Sequence, residues 1–458
     1  MTAHAISRNP HSGEELARYP FESDAQLDTA LAGTAAAQRQ WARTPLAQRV
    51  QVLQQLAQAL LARLEPLAQM ITAEMGKPIA QARAEVQKCA AMSQWYAEHG
   101  PAFLAPQPAP VAGQRAWLEF RPLGTVLAVM PWNFPLWQVL RGAVPMLLAG
   151  NAYMLKHAPN VMGSAYLLRE VFEHTDLPAG AFEVINVEPA GVSRAIADPR
   201  IAAVAVTGSG RAGAAIAAQA GAVLKKCILE LGGSDPFIVL EGCDLDAAVQ
   251  SAVVGRYQNT GQVCMAAKRL IVEQNIAEAF QAKFLEAVRA LKVGDPTAEE
   301  HYIGPMARYD LRDELHGQVS ASLEQGASLL LGGEPLPGVG NYYAPTVLGN
   351  VQPHMVAFRQ ELFGPVAALI SARDAEHALE LANDSDFGLC ATVWGPAEPA
   401  TEALAARLET GGVFINGNAA SDPRIVVGGV KQSGYGRELS SYGVHEFCNV
   451  QTVWVGRR

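Results

Sequence analysis

Long apolar runs are missing from this 458-residue chain. No continuously apolar stretch reaches the roughly 18 residues that a membrane-spanning helix needs, and the polar opening MTAHAISRNP lacks the charged-then-apolar layout of a leader peptide. The reading is a cytoplasmic protein without a membrane partner. Cysteine is scarce: the six, at 89, 227, 243, 264, 390 and 448, show no CxxC and no framework spacing, which suits reduced thiols rather than a disulfide scaffold. The ten histidines form neither HExxH nor a Cys/His cluster, so no metal is expected. Basic blocks are lacking as well. The net charge of -9 comes from interspersed acids with no acidic tail, which argues against nucleic acid and anionic membrane as partners. No internal repeat or low-complexity tract occurs. What is present, 50% hydrophobic and 17% charged residues, is the composition of two or three folded units.

From Asp24 to about Gly100 the pattern is helical, with Leu53, Leu56, Leu60, Leu64 and Leu67 recurring at steps of three or four along one apolar face. PAFLAPQPAPVAG (101–113) is expected to break these helices, and WLEF through Arg121 reads as a strand leaving the body of the domain. From Gly124 short apolar runs (TVLAVM, NAYMLK, FEVINV, IAAVAV, KKCILEL) alternate with helical segments. Such alternation argues for βαβ units and an α/β, doubly wound parallel sheet. After about Gly232 the rhythm restarts with PFIVL, RLIVE, SLLLGG and VFIN, a second α/β unit. TVWVG, after the glycine-rich VGGVKQSGYGRE, is a lone terminal strand that needs an edge to pair with.

Three stretches carry chemistry. TGSGRAG sets Gly208, Gly210 and Gly213 in a GxGxxG between a strand-like and a helix-like run, where backbone amides suit a pyrophosphate or simply make a tight turn. The fingerprint also expects an acid about 20 residues on, and Glu230 stands in that place. In YQNTGQVCMAAKR, Cys264 is either a small buried hydrophobe or a presented nucleophile. The preceding Asn259, Thr260, Gly261 and Gln262 make a poor core and a good loop, and a following helix would lower the thiol pKa by its dipole. In PWNFP, Asn133 is a turn cap or an amide aimed at a developing oxyanion.

PWNFP, TGSGRAG, LELGGSDP, GQVC, ELFGP and GGVKQSGYGRE, in that order, resemble the aldehyde dehydrogenase superfamily over nearly the whole chain. The resemblance implies a Rossmann-like cofactor domain (1–112 and 124–231), an α/β catalytic domain (232–432) and a small β oligomerisation arm (113–123 and 433–458) of a homodimer or tetramer. It implies Cys264 as nucleophile, Glu230 as the base rather than a ribose ligand, and Asn133 with the Cys264 N–H as oxyanion donors. NAD or NADP would lie against Pro131, Trp132, Lys156, Pro159, Gly208, Ser209, Leu231, Glu361 and Phe363. The small-molecule substrate would be an aldehyde carrying a distal carboxylate, succinate semialdehyde first, met by Arg141 and Ser421, with Gln258 where some relatives carry a second arginine. Glu438 is read as structural. Two other functions stand against this one: a CoA-acylating enzyme, which Glu230 disfavours, and a non-catalytic binding protein, which the intact Cys264, Asn133 and Glu230 disfavour. Met265 and Ala266 leave no neighbouring thiol for a disulfide switch.

Overall fold

The structure, a computed structural model, describes residues 4–456. Residues 1–3 and 457–458, the ends of the ranges expected for the cofactor domain and the arm, lie outside the described residues. The chain opens on a hairpin, His4–Arg8 with Glu15–Pro20, which the sequence reading did not anticipate. Four helices follow: Asp24–Trp41, Leu46–Ala62, Leu64–Met75 and Ile79–Phe103. The leucine stripe spans two of them, bent at Arg63, and buries Leu53, Leu56, Leu60 and Leu67. The expected break at 101 falls slightly later. Pro101 sits in the last turn of the fourth helix, and the chain leaves it at Leu104.

Five parallel strands form the first sheet: Phe182–Ile185, Ala152–Lys156, Thr125–Val129, Ile201–Thr207 and Lys226–Glu230, in that spatial order. In chain order this is 3-2-1-4-5, the Rossmann order without its sixth strand. Its direction of winding reverses between Thr125–Val129 and Ile201–Thr207, where α/β sheets form a ligand crevice beyond the strand C-termini. Pro131, Trp132 and Asn133 follow one of these strands; Gly208 and Ser209 follow the other. The second sheet has seven strands, all parallel except the antiparallel edge strand Ser328–Leu331, with Ala267–Glu273 and Asp235–Val239 at its centre.

The C-terminal segment departs from the expected arm boundary at 433. Gly434–Tyr435 adds an antiparallel edge to the first sheet by pairing with Glu230 and Leu229. Ser440–Glu446 is a helix packed on the helices Ile79–Phe103 and Trp137–Ala149. Only Cys448–Val455 pairs with Arg115–Pro122, so TVWVG finds its edge within its own chain. The glycines of GGVKQSGYGRE explain the difference: Gly434 (φ 110°) and Gly436 (φ 85°) let the backbone lie directly on Leu229 and Ile228, which a Cβ would prevent. Among the described residues no helix is long and apolar enough to cross a membrane.

Burial assigns the stripe its energetic weight. Leu56→Ala is expected to destabilise the chain by about 2–5 kcal/mol. Leu61→Ala, at a position 53% exposed, should stay within about 0.5 kcal/mol. The shift of the urea unfolding midpoint in the two variants checks this.

Candidate active site

The nucleophile loop follows the helix Leu245–Tyr257. Asn259 (φ 53°), Thr260 (φ 56°) and Gly261 (φ 71°) are successively left-handed, a conformation that costs about 1 kcal/mol or more at a non-glycine residue. Side chains hold it there. Asn259 Nδ2 donates to the carbonyls of Asn133 (2.8 Å) and Gln262 (3.2 Å), and Thr260 Oγ1 accepts from Gly304 N–H at 3.2 Å. Arg256, fully buried, donates to the carbonyls of Gly261, Leu362 and Gly364, stapling the loop to the ELFGP segment. At Gly261 the two backbones lie so close that a Cβ would overlap the Gly364 oxygen.

Cys264 therefore sits on a turn that enters the strand Ala267–Glu273, not a helix. The dipole expected to activate it is absent. Burial pushes the thiol up to about 11, and the opposing influences are two cations, Arg141 and Lys268. Lys268, buried at the start of that strand, donates to the Cys264 carbonyl (2.6 Å) and pairs with Glu361 (2.9 Å). Glu361 Oε1 also accepts from Gly233 N–H at 3.1 Å.

Asn133 Nδ2 donates to the Gln262 carbonyl at 3.1 Å, while its Oδ1 is buried and unpartnered. Its second amide hydrogen and the Cys264 N–H, which donates to no acceptor among the described residues, are free donors beside the thiol. The turn is anchored from behind. His157 shares a 2.9 Å hydrogen bond with the Pro135 carbonyl, and Glu85 Oε1 accepts from the N–H groups of Leu136 and Trp137, both at 2.9 Å. Glu85 is paired with buried Lys77, whose ammonium lies 3.7 Å from the Phe134 ring centre.

Glu230 ends its strand 3% exposed. Burial drives its carboxyl up to about 8, opposed by Arg141 and reinforced by Glu438. Its Oε1 has no partner. Arg141 lies 2.5 Å from Glu438 and 3.6 Å from Glu230, with its side chain 1% exposed, and its Nη2 has no hydrogen-bond partner among the described residues. The helix that carries it, Trp137–Ala149, is buried on every side, which leaves the guanidinium no other counter-charge.

Pro131, Trp132, Asn133, Gly208, Ser209, Glu230, Leu231, Cys264, Glu361 and Phe363 line one cavity of about 520 Å³. Pro159 lies on a separate groove of about 420 Å³, beside Asn160, whose amide atoms have no partner. Lys156 is half-buried at the end of its strand, Gln258 is exposed, and Ser421 Oγ accepts from Trp137 Nε1 at 3.0 Å. The cavity suits a dinucleotide. Ser209 caps the helix Gly210–Ala222, space is open around Gly208 and Gly210, and the buried Thr207 hydroxyl has no partner. No cluster of metal-ligating side chains occurs among the described residues.

Sequence reading passed over Lys268 and Arg256. Lys268 and Arg269 are charges at the mouth of an otherwise apolar buried strand, a pattern that marks paired, purposeful cations. Arg256 carries no such local signal, because its partners are carbonyls more than 100 residues away, at Leu362 and Gly364.

This chain belongs to the aldehyde dehydrogenase family, whose sequence pattern spans residues 2–453. It is 62% identical over 454 residues to the succinate semialdehyde dehydrogenase [NAD(P)+] Sad of Escherichia coli, covering 99% of this chain and 98% of that one. It is 45% identical to a succinate-semialdehyde dehydrogenase [NADP(+)] of Mycolicibacterium paratuberculosis, covering 98% and 96%. Among solved structures, the succinic semialdehyde dehydrogenase of Streptococcus pyogenes in complex with NADP+ superposes with a TM-score of 0.97 at 34% identity, covering 99% of this chain and all of that one.

Gly261→Ala tests the loop geometry. It should leave the fold standing but misplace the thiol, lowering turnover about a hundredfold together with the rate of Cys264 alkylation by iodoacetamide.

Proposed function

We propose that this chain oxidises succinate semialdehyde to succinate with NAD or NADP as hydride acceptor. The observation that carries the reading is the meeting of a thiol, an amide donor and a buried carboxylate with a raised pKa in one cavity at the C-terminal ends of the first sheet. Support for the particular aldehyde and for the cofactor pair is the 62% identical relative of that name. The free nicotinamide ring, when bound, supplies the acceptor for hydride.

In the proposed reaction Cys264 Sγ, its proton given up to solvent, attacks the aldehyde carbon. With the thiol pushed up to about 11 by burial, this ionisation is uphill near neutrality, and the nearby Arg141 and Lys268 charges reduce its cost. The Asn133 amide and the Cys264 N–H stabilise the oxyanion of the thiohemiacetal, contacts worth about 3 kcal/mol each in comparable sites. Loss of hydride leaves a thioester on Cys264. Glu230, still a carboxylate, then takes a proton from water as the water oxygen attacks the thioester carbon, and the Cys264 sulfur leaves as thiol with that proton. A carboxylate so placed favours hydrolysis over transfer to the thiol of CoA.

Gly208, Ser209, Trp132, Leu231, Glu361 and Phe363 would hold the nicotinamide half of the cofactor, and Lys156 and Pro159 the adenosine half. Pro159 neither accepts from a ribose hydroxyl nor repels a 2′-phosphate, which supports use of both cofactors. For assembly we favour a homodimer or tetramer through the arm. The strand Cys448–Val455 forms the edge of its three-stranded sheet and exposes Val450 and Trp454, an edge of the kind that proteins cover. The six cysteines, all free, accord with a cytoplasmic setting.

Glu230→Gln should retain a pre-steady-state burst of reduced cofactor while steady-state turnover falls about a hundredfold or more, because acylation outlasts the loss of the hydrolytic base. In the unsubstituted enzyme the active form is the carboxylate, so turnover should rise with pH through about 8. That acid limb should vanish in the variant. Collapse of cofactor affinity with turnover preserved would assign Glu230 to the ribose instead.

A further inference from the structure

The first two turns of the helix Ile79–Phe103 meet both sides of the candidate active site. The Ile79 N–H donates to the Pro296 carbonyl at 2.7 Å, which docks the start of the helix on the segment that carries Tyr302 and Gly304. Half-buried Gln81 then makes two contacts across the same junction: its Oε1 accepts from the Asn259 N–H at 2.7 Å, and its Nε2 donates to the Tyr302 carbonyl at 2.9 Å. An N–H only donates and a carbonyl only accepts, so these partners fix which way the amide faces. Glu85, four residues on and therefore on the same helix face, accepts from the N–H groups of Leu136 and Trp137. One helix face thus grips the thiol loop through Gln81 and the turn that carries Asn133 through Glu85.

Asn259, held at its N–H by Gln81, donates through its own Nδ2 to the Asn133 and Gln262 carbonyls, and Asn133 Nδ2 donates to that same Gln262 carbonyl at 3.1 Å. The direction of the Asn133 amide, and with it that of its second hydrogen, therefore depends on where Asn259 sits. The thiol has supports of its own: Arg256 holds the Gly261 carbonyl, and Lys268 holds that of Cys264. Loss of Gln81 consequently displaces the amide more than the sulfur. We propose that Gln81 is a positioning residue that aims the Asn133 amide at the oxyanion; this rests on the reading that Asn133 and the Cys264 N–H stabilise that oxyanion. Such a donor acts only when preset at the place where the charge develops, and Gln81 presets it from a helix that touches neither substrate nor sulfur. Asparagine, the other side-chain amide, is one methylene shorter and does not span the gap between Asn259 and Tyr302.

Two reactions of Cys264 in the full chain separate the amide from the sulfur. 4-Nitrophenyl acetate acetylates the thiol through an oxyanion and releases 4-nitrophenolate, whereas iodoacetamide alkylates it by displacing iodide and forms no oxyanion. The readout is the ratio of the two rate constants, acetylation to alkylation, in which ionisation of the thiol cancels. Gln81→Met keeps the length and loses both contacts; it should lower the ratio about tenfold or more while alkylation stays within about twofold. Gln81→Asn should lower it likewise and serves where the methionine variant does not fold. Asn133→Ala should lower the ratio about a hundredfold, and adding Gln81→Met to it should change little, because the group that Gln81 aims is already gone. An unchanged ratio in Gln81→Met, equal losses in both reactions, or a full further loss in the double variant overturns the positioning role. An unchanged ratio in Asn133→Ala overturns the oxyanion reading and this inference with it.

Discussion

Glu230 and Glu438 lie on either side of Arg141 in a dry part of the molecule, where burial raises the proton affinity of each and Glu438 raises that of Glu230 further. Arg141 between them makes that burial tolerable. Removing a charge from such a set leaves the others uncompensated and typically costs several kcal/mol, so the surrounding fold is built to keep all three. Every residue of the helix Trp137–Ala149 is buried, and its first turn is fixed by Glu85, itself neutralised by Lys77. Gly434 and Gly436 bring the Glu438 segment flat against the strand that ends in Glu230. The consequence for chemistry is a carboxylate poised near neutrality, able to give up and take a proton in one catalytic cycle.

The thiol is held on different terms. It gains nothing from a helix dipole, and burial alone would leave it inert. Its loop is instead forced into three left-handed residues by Asn259, Thr260 and Arg256, and the carbonyl behind it is grasped by Lys268. Lys268 also touches Glu361, which joins the nucleophile to the segment proposed to meet the nicotinamide ribose. Strain in the loop and charge beneath it act in the same direction, toward a sulfur that faces the cavity in a positive environment.

Much of this was legible in the sequence because the signal was local. Alternating apolar runs announced both parallel sheets, and PWNFP, TGSGRAG and GQVC each sit on a turn at a strand end, where side chains must be named by the motif itself. Harder to read were the features decided by distant partners. Arg141 was named by the family resemblance, but its counter-charges come from residues 230 and 438, which no local pattern relates to it. Arg256 binds carbonyl groups, which carry no sequence identity. The segment after 433 looked like part of an arm because glycine-rich composition shows where a chain can bend and not which surface it will meet.

The central claim is a covalent intermediate on Cys264 that only Glu230 can discharge promptly. The most direct measurement is the intact mass of Glu230→Gln, quenched in acid shortly after mixing with succinate semialdehyde and oxidised cofactor, followed by peptide mapping. The account predicts a mass gain of one succinyl group, located on the peptide that contains Cys264 and absent when cofactor is omitted. Reduced cofactor formed in the burst without any acyl adduct on that peptide would contradict it.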